Sequence, residues 1–247
     1  MRYRYVDVHA HLDSETFDGD RDEVVERAED VLILTAGQDH ETGLKCLELA
    51  NTYENVEACL GIHPEMAHKY DGHSLKSELE FIRDNSSRIK ALSEIGLDYK
   101  FGGKDWQKEV FRAQLELAEE LNLPVVVHSR RAGGAVLKVL KGYDLRVVLH
   151  AFSGNEREVR EALELGYYLS IGPNVVYNGF RQRLARLVPI EFMLSETDSP
   201  VMGPKLGERN EPSNVRLVVD WVSRLKGIKR EVVRAKLLEN ARKLFDL

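Results

Sequence analysis

A chain of 247 residues with 43% hydrophobic and 31% charged side chains has the make-up of a soluble globular protein with a sizeable core, which excludes disordered, collagenous and membrane-embedded classes. Its formal charge of -6 excludes a protein that coats nucleic acid by bulk electrostatics, while leaving local basic patches open. The 2 cysteines, Cys46 and Cys59, have no CxxC spacing, so neither a disulfide framework nor a thiolate zinc site is expected, and a reducing compartment fits.

The opening stretch Met1–Leu12 alternates charged and aromatic residues without the apolar run of a signal peptide, and nothing later approaches a membrane span. A cytoplasmic protein with no membrane partner, working as a monomer, is expected. The apolar runs expected as strands are Tyr3–His9, Val31–Ala36, Val56–Ile62, Ile89–Ile95, Pro124–His128, Arg146–His150, Tyr167–Ile171 and Glu191–Ser195. Longer stretches of helical periodicity separate them, which is the βα signature. Trp106–Leu121 mixes Val110, Leu115 and Leu117 with Glu109, Glu116, Glu119 and Glu120 and reads as an amphipathic outer helix. Asn155 with Glu158 opens another helix as a capping box, and Gly166 closes it. Continuous hydrophobicity in Val125–Val127 and Val147–Leu149 means burial on both faces, as in a parallel sheet under helices. These units, with no linker between them, predict an α/β chain: one (β/α)8 TIM barrel over residues 1–247. An open doubly wound sheet is the alternative and requires the strand order to reverse.

The first strand ends in Val6-Asp7-Val8-His9-Ala10-His11. Side chains at i and i+2 share a face, so His9 and His11 can reach one metal ion. Later strands end on Glu94, His128, His150 and Asp198, all metal-ligand types. A barrel gathers the carboxyl ends of its strands on one face, which turns sequence separation into proximity. His63 follows the third strand on the same face, but a ligand role would overfill the site, so it is expected to contact substrate. His40, His68 and His73 fall in loops or helix starts and read as solvated.

Seven segments carry a resemblance: Asp7-Val8-His9-Ala10-His11, Gly61-Ile62-His63-Pro64, Glu94-Ile95-Gly96-Leu97-Asp98-Tyr99, Pro124-Val125-Val126-Val127-His128-Ser129-Arg130, His150-Ala151-Phe152-Ser153-Gly154, Glu196-Thr197-Asp198-Ser199-Pro200 and Arg209-Asn210-Glu211-Pro212. Nearly end to end, the chain resembles the TatD family of metal-dependent deoxyribonucleases, in the wider amidohydrolase-like group of barrels. The resemblance implies two divalent ions per subunit (Zn, Mn or Mg), one on His9, His11, Glu94 and Asp198 and one on Glu94, His128 and His150, with Glu94 bridging. It also implies DNA ends as substrate. The sequence departs from the family pattern at Arg131, Ser93 and Lys100, where an aspartate, a glycine and an aromatic are usual. Metal binding is expected to survive these changes, which touch substrate preference instead.

Such a site suits phosphodiester hydrolysis, probed most directly as exonuclease action on single-stranded DNA. Asp198 and Glu94 are the expected catalytic residues, Asp198 as general base, and Glu196 is expected to orient a ligand. Arg130, Arg209 and Asn210 are the expected phosphate contacts. Arg131, Lys104 and Lys108 read as solvated loop charges. Of Tyr99, Phe101, Phe152 and Tyr177, some are expected to stack on bases and at least half to pack internally. A small-molecule amidohydrolase or lactonase using the same activated water is the main rival. A dead scaffold barrel would be expected to have lost ligands, and none is missing.

Overall fold

Runs of branched apolar residues become strands here because helices cover them: every residue of β1 (Tyr5–Ala10) and β2 (Val31–Ala36) is buried. The computed structural model describes residues 3–100 and 104–247. After these come β3 (Val56–Leu60), β4 (Ile89–Gly96), β5 (Val125–His128), β6 (Val147–Leu149), β7 (Tyr168–Ile171) and β8 (Met193–Ser195). The helices are α1 (Arg21–Arg27), α2 (His40–Thr52), α3 (Gly72–Asp84), α4 (Asp105–Leu121), α5 (Gly133–Leu140), α6 (Glu156–Glu164), α7 (Gly179–Leu187), α8 (Val215–Lys226) and α9 (Arg230–Phe245). Each strand pairs in parallel with its sequence neighbour, in the order β1 to β8. That order never reverses, so the sheet is a (β/α)8 barrel and the doubly wound alternative is set aside. No described helix is long and apolar enough to cross a membrane.

Most expected boundaries shift by one or two residues, and β8 shifts for a clear reason. Glu191 and Phe192, expected as its first part, belong to a 3-10 turn over Ile190–Phe192 that follows Pro189, and the strand starts only at Met193. The Asn155–Glu158 capping box opens α6 as expected, each side chain bonding the other's backbone N–H.

Hydrogen bonds close the seam between β8 and β1. Ser195 Oγ donates to the Val6 carbonyl at 2.7 Å, Asp198 N to the His9 carbonyl at 2.8 Å, and His11 N to the Ser199 carbonyl at 2.8 Å. Inside, Val6, Val8, Leu34, Ala36, Ala91, Val126, Val148 and Leu194 form one cluster with Leu238, Ala241, Leu244 and Phe245 of α9. Asn240 of α9 bonds the carbonyls of Ile190 and Met193, where β8 begins. Helix α9 therefore stoppers the amino end of the barrel. The inward column continues upward two residues at a time, from Val126 to His128, from Val148 to His150, and from Leu194 to Glu196 and Asp198.

One glycine decides how closely two of these columns meet. Gly96 pairs in register with His128 and has φ 143°, and a Cβ there would lie 2.1 Å from the His128 carbonyl oxygen. Only glycine lets β4 approach β5 closely enough for Glu94 and His128 to touch.

Candidate metal centre

The carboxyl ends of the strands open into a cavity of about 820 Å³ whose wall includes His11, His63, Glu94, His128, His150 and Asp198. At its base the two oxygens of Glu94 face different neighbours. Oε2 lies 3.5 Å from Nε2 of His9 and 3.5 Å from Nε2 of His11, while Asp198 Oδ1 lies 3.7 Å and 3.5 Å from the same two nitrogens. Oε1 lies 2.5 Å from His128 Nδ1 and 2.8 Å from His150 Nε2. The strands thus bring together all six residues expected as ligands.

The spacing of the first group is too long for hydrogen bonds and right for donors around an ion. Four ligands at about 2.1 Å in a tetrahedron lie about 3.4 Å from one another. His9 Nε2 is buried without a hydrogen-bond partner, facing two carboxylates, which is costly unless a cation occupies the space between them. These residues fit a divalent metal.

The far nitrogen of each ring also points to this use. A ligating imidazole gives its other N–H to an acceptor, which leaves a lone pair for the metal. His11 Nδ1 faces the Ala36 carbonyl at 2.9 Å and donates its proton there, which leaves Nε2 for the centre. His128 Nε2 faces Asp98 Oδ2 at 2.9 Å, which leaves Nδ1 for the centre. His150 Nδ1 lies 3.4 Å from Glu196 Oε2, near this carboxylate but without a hydrogen bond among the described residues, and His9 Nδ1 lies 3.4 Å from the Ser93 hydroxyl, so the serine that departs from the family glycine gives His9 a neighbour. His63 differs. Its Nδ1 accepts from the Glu65 backbone N–H at 3.1 Å, so the proton sits on Nε2, 3.6 Å from Glu94 Oε1. Although it lies within ligand spacing of Glu94 and His128, His63 presents a donor rather than a lone pair.

Electrostatics follow from this crowding. Burial alone would push the Glu94 carboxyl up, but His63, His150, His128 and His9 around it hold it well below the usual carboxylate range. Burial also opposes charge on His11 and His150, yet Asp198 and Glu94 raise the first well above an ordinary imidazole, and Glu94 and Glu196 raise the second. His9 goes the other way, pushed down by burial and by His150.

Three contributors were not singled out from the sequence. Asp7 is fully buried and accepts from Thr197 N at 2.8 Å and His9 N at 3.3 Å, which ties the turn bearing Asp198 to the strand bearing His9. Asp98 holds His128 and is itself held by Arg130 Nε at 2.6 Å; burial would raise its carboxyl, but His128 and Arg130 keep it below its usual range. Arg181 of α7 lies in the wall of the mouth, bonded to the carbonyls of Ala151 and Phe152. An aspartate inside the apolar run Val6-Asp7-Val8 was the one signal available for Asp7.

Two expected phosphate contacts are corrected. Asn210 is completely buried, donates to the carbonyls of Thr197 at 2.8 Å and Val201 at 2.9 Å, and accepts from Glu211 N and Asn214 Nδ2. Its amide is used up in shaping the loop after β8. Arg209 does not line the mouth: it pairs with both oxygens of Asp20 and lies over the Phe17 ring at 5.0 Å. Arg130 does line the mouth, paired with Asp98 and Glu65. His40 pairs with Glu78, and neither it nor His68 nor His73 joins a ligand cluster among the described residues. Phe152 is fully buried and Tyr99 packs on the core, whereas Tyr177 is 42% exposed; Phe101 lies outside the described residues. Lys104 and Arg131 are exposed and Lys108 pairs with Asp105.

Residues 6–246 match the family described as TatD related DNase. The chain is 36% identical over 257 residues to the human deoxyribonuclease TATDN3, covering 97% of this chain and 94% of the relative. It is 35% identical over 244 residues to an uncharacterized metal-dependent hydrolase of Methanocaldococcus jannaschii, covering 98% and 97%. Among solved structures, the TatD homologue YjjV of Escherichia coli superposes with a TM-score of 0.90 at 30% identity, over 100% of both chains. With a family match across almost the whole chain, relatives of this identity and a site of histidines and carboxylates at the barrel mouth, the chain belongs to the TatD-related DNase family of metal-dependent hydrolases.

Proposed function

We infer that this chain is a two-metal deoxyribonuclease that hydrolyses phosphodiester bonds at single-stranded DNA ends. The observation that carries this reading is the division of Glu94, one oxygen toward His9 and His11 and the other toward His128 and His150. One ion would be held by His9, His11, Asp198 and Glu94 Oε2, the other by His128, His150 and Glu94 Oε1. Divalent ions so placed supply Lewis-acid activation of water and of phosphate oxygens, the chemistry that phosphodiester hydrolysis needs.

The protein's own groups do the rest. Asp198, at the mouth wall, accepts the proton of the attacking water. His63 Nε2–H donates to a substrate oxygen, and Glu196 fixes the ring of His150. Arg130 meets the phosphate chain at the rim, exchanging part of its pairing with Glu65 for the incoming anion. The formal charge of -6 gives no bulk electrostatic drive for coating a duplex, which supports an end seated in one mouth, and the name of the human relative supports DNA as the polymer.

The test joins metal analysis of the purified protein to cleavage of end-labelled single-stranded and duplex DNA. Two ions per chain, cleavage of the single strand with Mg2+, Mn2+ or Zn2+, and loss of cleavage on chelation are expected. Turnover of esters or amides with every nucleic acid left intact would replace this reading with the amidohydrolase or lactonase one.

A further inference from the structure

Arg181 is a buried cation for which the described residues supply no direct counter-ion. It stands in the first turn of α7, where Asn178 caps the helix by accepting from Phe180 N at 3.0 Å and Arg181 N at 3.2 Å. The helix end there is itself positive, so it adds to the charge of Arg181 rather than offsetting it. The side chain is 8% exposed and forms part of the mouth wall beside His150, Ala151, Ser153 and Asp198. Nη1 donates to the Phe152 carbonyl at 2.6 Å and Nη2 to the Ala151 carbonyl at 2.9 Å. Among the described residues no carboxylate pairs with it. Burial pushes the guanidinium down from its usual range, and Glu196 and Asp198, acting through space, recover only part of that.

The mouth's other arginine shows the contrast. Arg130 is 40% exposed and already paired with Asp98 and Glu65. A guanidinium carries five N–H donors, and the two carbonyls engage one on each terminal nitrogen of Arg181. An uncompensated cation at the edge of a cavity is stabilised by any anion that enters, because burying a charge without a partner is costly. A phosphodiester brings a negative charge, whereas a carboxylic ester or lactone brings none.

We propose that Arg181 is the specificity-determining residue of the mouth, selecting an anionic phosphodiester over a neutral ester by binding a non-bridging phosphate oxygen. The proposal rests on the phosphodiesterase reading and names the group that enforces it. It also separates Arg181 from a purely structural clamp. The same guanidinium braces Ala151, the residue after His150, which has φ 42°, so a clamp would affect all substrates alike.

The experiment uses the Mn2+-loaded full chain and two substrates with one leaving group, bis(p-nitrophenyl) phosphate and p-nitrophenyl acetate. Arg181→Met is expected to lower kcat/KM roughly 10- to 100-fold on the phosphodiester, the size of one charge-assisted hydrogen bond, and to leave the acetate within about threefold. Arg181→Lys is expected to recover much of the phosphodiester activity. Calorimetric binding of thymidine 5′-monophosphate gives a readout without turnover and is expected to weaken about tenfold or more in Arg181→Met. If Arg181→Met does not fold, Arg181→Gln carries the same comparison with a neutral amide. Parallel losses on both substrates, or nucleotide affinity equal to wild type, overturn the proposal. A wild-type protein that turns over the acetate and neither the phosphodiester nor DNA sinks the nuclease reading instead; nucleotide binding then judges Arg181 alone.

Discussion

The two sides of Glu94 are built in opposite ways. On the side of His9 and His11, position is set by the barrel wall: His11 is held by the Ala36 carbonyl, Asp198 N bonds the His9 carbonyl, and buried Asp7 fastens Thr197 to the first strand. On the side of His128, position is set by a relay of charges running outward from Asp98 to Arg130 to Glu65, the last two 40% and 44% exposed. A backbone-built half changes little short of unfolding, whereas a half held by side-chain charges can be retuned by a single substitution or by salt. The protein therefore combines a fixed set of candidate ligands with one, around His128, that is open to adjustment.

The harshest way to break this contrast is to remove what both halves share. Glu94→Ala is expected to lower kcat by more than about 10³-fold, beyond the loss of a single positioned donor, and to deplete both ions while circular dichroism stays native. Strand-end residues serve activity more than stability, so retained turnover in a clean mutant would overturn the shared role. Asp198→Asn should empty only the wall-built half, with one ion remaining by mass spectrometry and turnover falling nearly as far. Asp98→Asn probes the other half. It leaves His128 with a weaker partner and is expected to cost about 10- to 100-fold in metal affinity or activity. A loss confined to the ion removed most easily by chelator would sharpen the contrast; equal loss of both ions would erase it.

Fastening of the wall-built half reaches further than the ligands. Asn210 joins Thr197 and Val201 across the loop that presents Asp198. Asn210→Ala takes the donor from the buried Thr197 carbonyl and breaks the half-buried bonds to the Val201 carbonyl and the Glu211 N–H, at a cost of about 2–3 kcal/mol. For a chain of this size that amounts to a fall of roughly 5–10 °C in Tm. Asn210→Asp keeps the acceptor but sets a buried carboxylate against the same two carbonyl oxygens, and should cost at least as much as the alanine.

Which parts of this were legible in the sequence follows from the geometry of each residue. The ligand types at strand ends could be read because a parallel barrel gathers those ends whatever lies between them, and the His9-x-His11 spacing places two rings on one face. The eight strands were legible from period and composition, but Pro189 turned the start of β8 into a 3-10 turn that an apolar pattern does not reveal. Asp7, Asp98 and Arg181 were not legible, because their partners Thr197, His128 and Ala151 lie 190, 30 and 30 residues away and depend on how loops return over the mouth. Nor can spacing say which nitrogen of His128 turns inward. Arg209 and Asn210 were misread together: as neighbours in a motif they looked alike, yet one side chain turns into the protein and the other out over Phe17.

That divergence sets the smallest effect. Arg209 is bound to Asp20 and to the Thr16 carbonyl, 37% exposed, and absent from the mouth wall. Exposed ion pairs contribute little because water screens them and long side chains lose freedom, and the contact with the Phe17 ring adds a comparable amount. Arg209→Ala should therefore cost no more than about 1–2 kcal/mol and leave KM for DNA within about twofold. Arg181→Met, one strand earlier in the chain but inside the mouth, should do the reverse, weakening phosphodiester binding with the loop after β8 undisturbed. A KM raised tenfold by Arg209→Ala would mean that the Asp20 pair opens to release the guanidinium toward substrate, and the line drawn here between mouth and rim would have to move outward to include it.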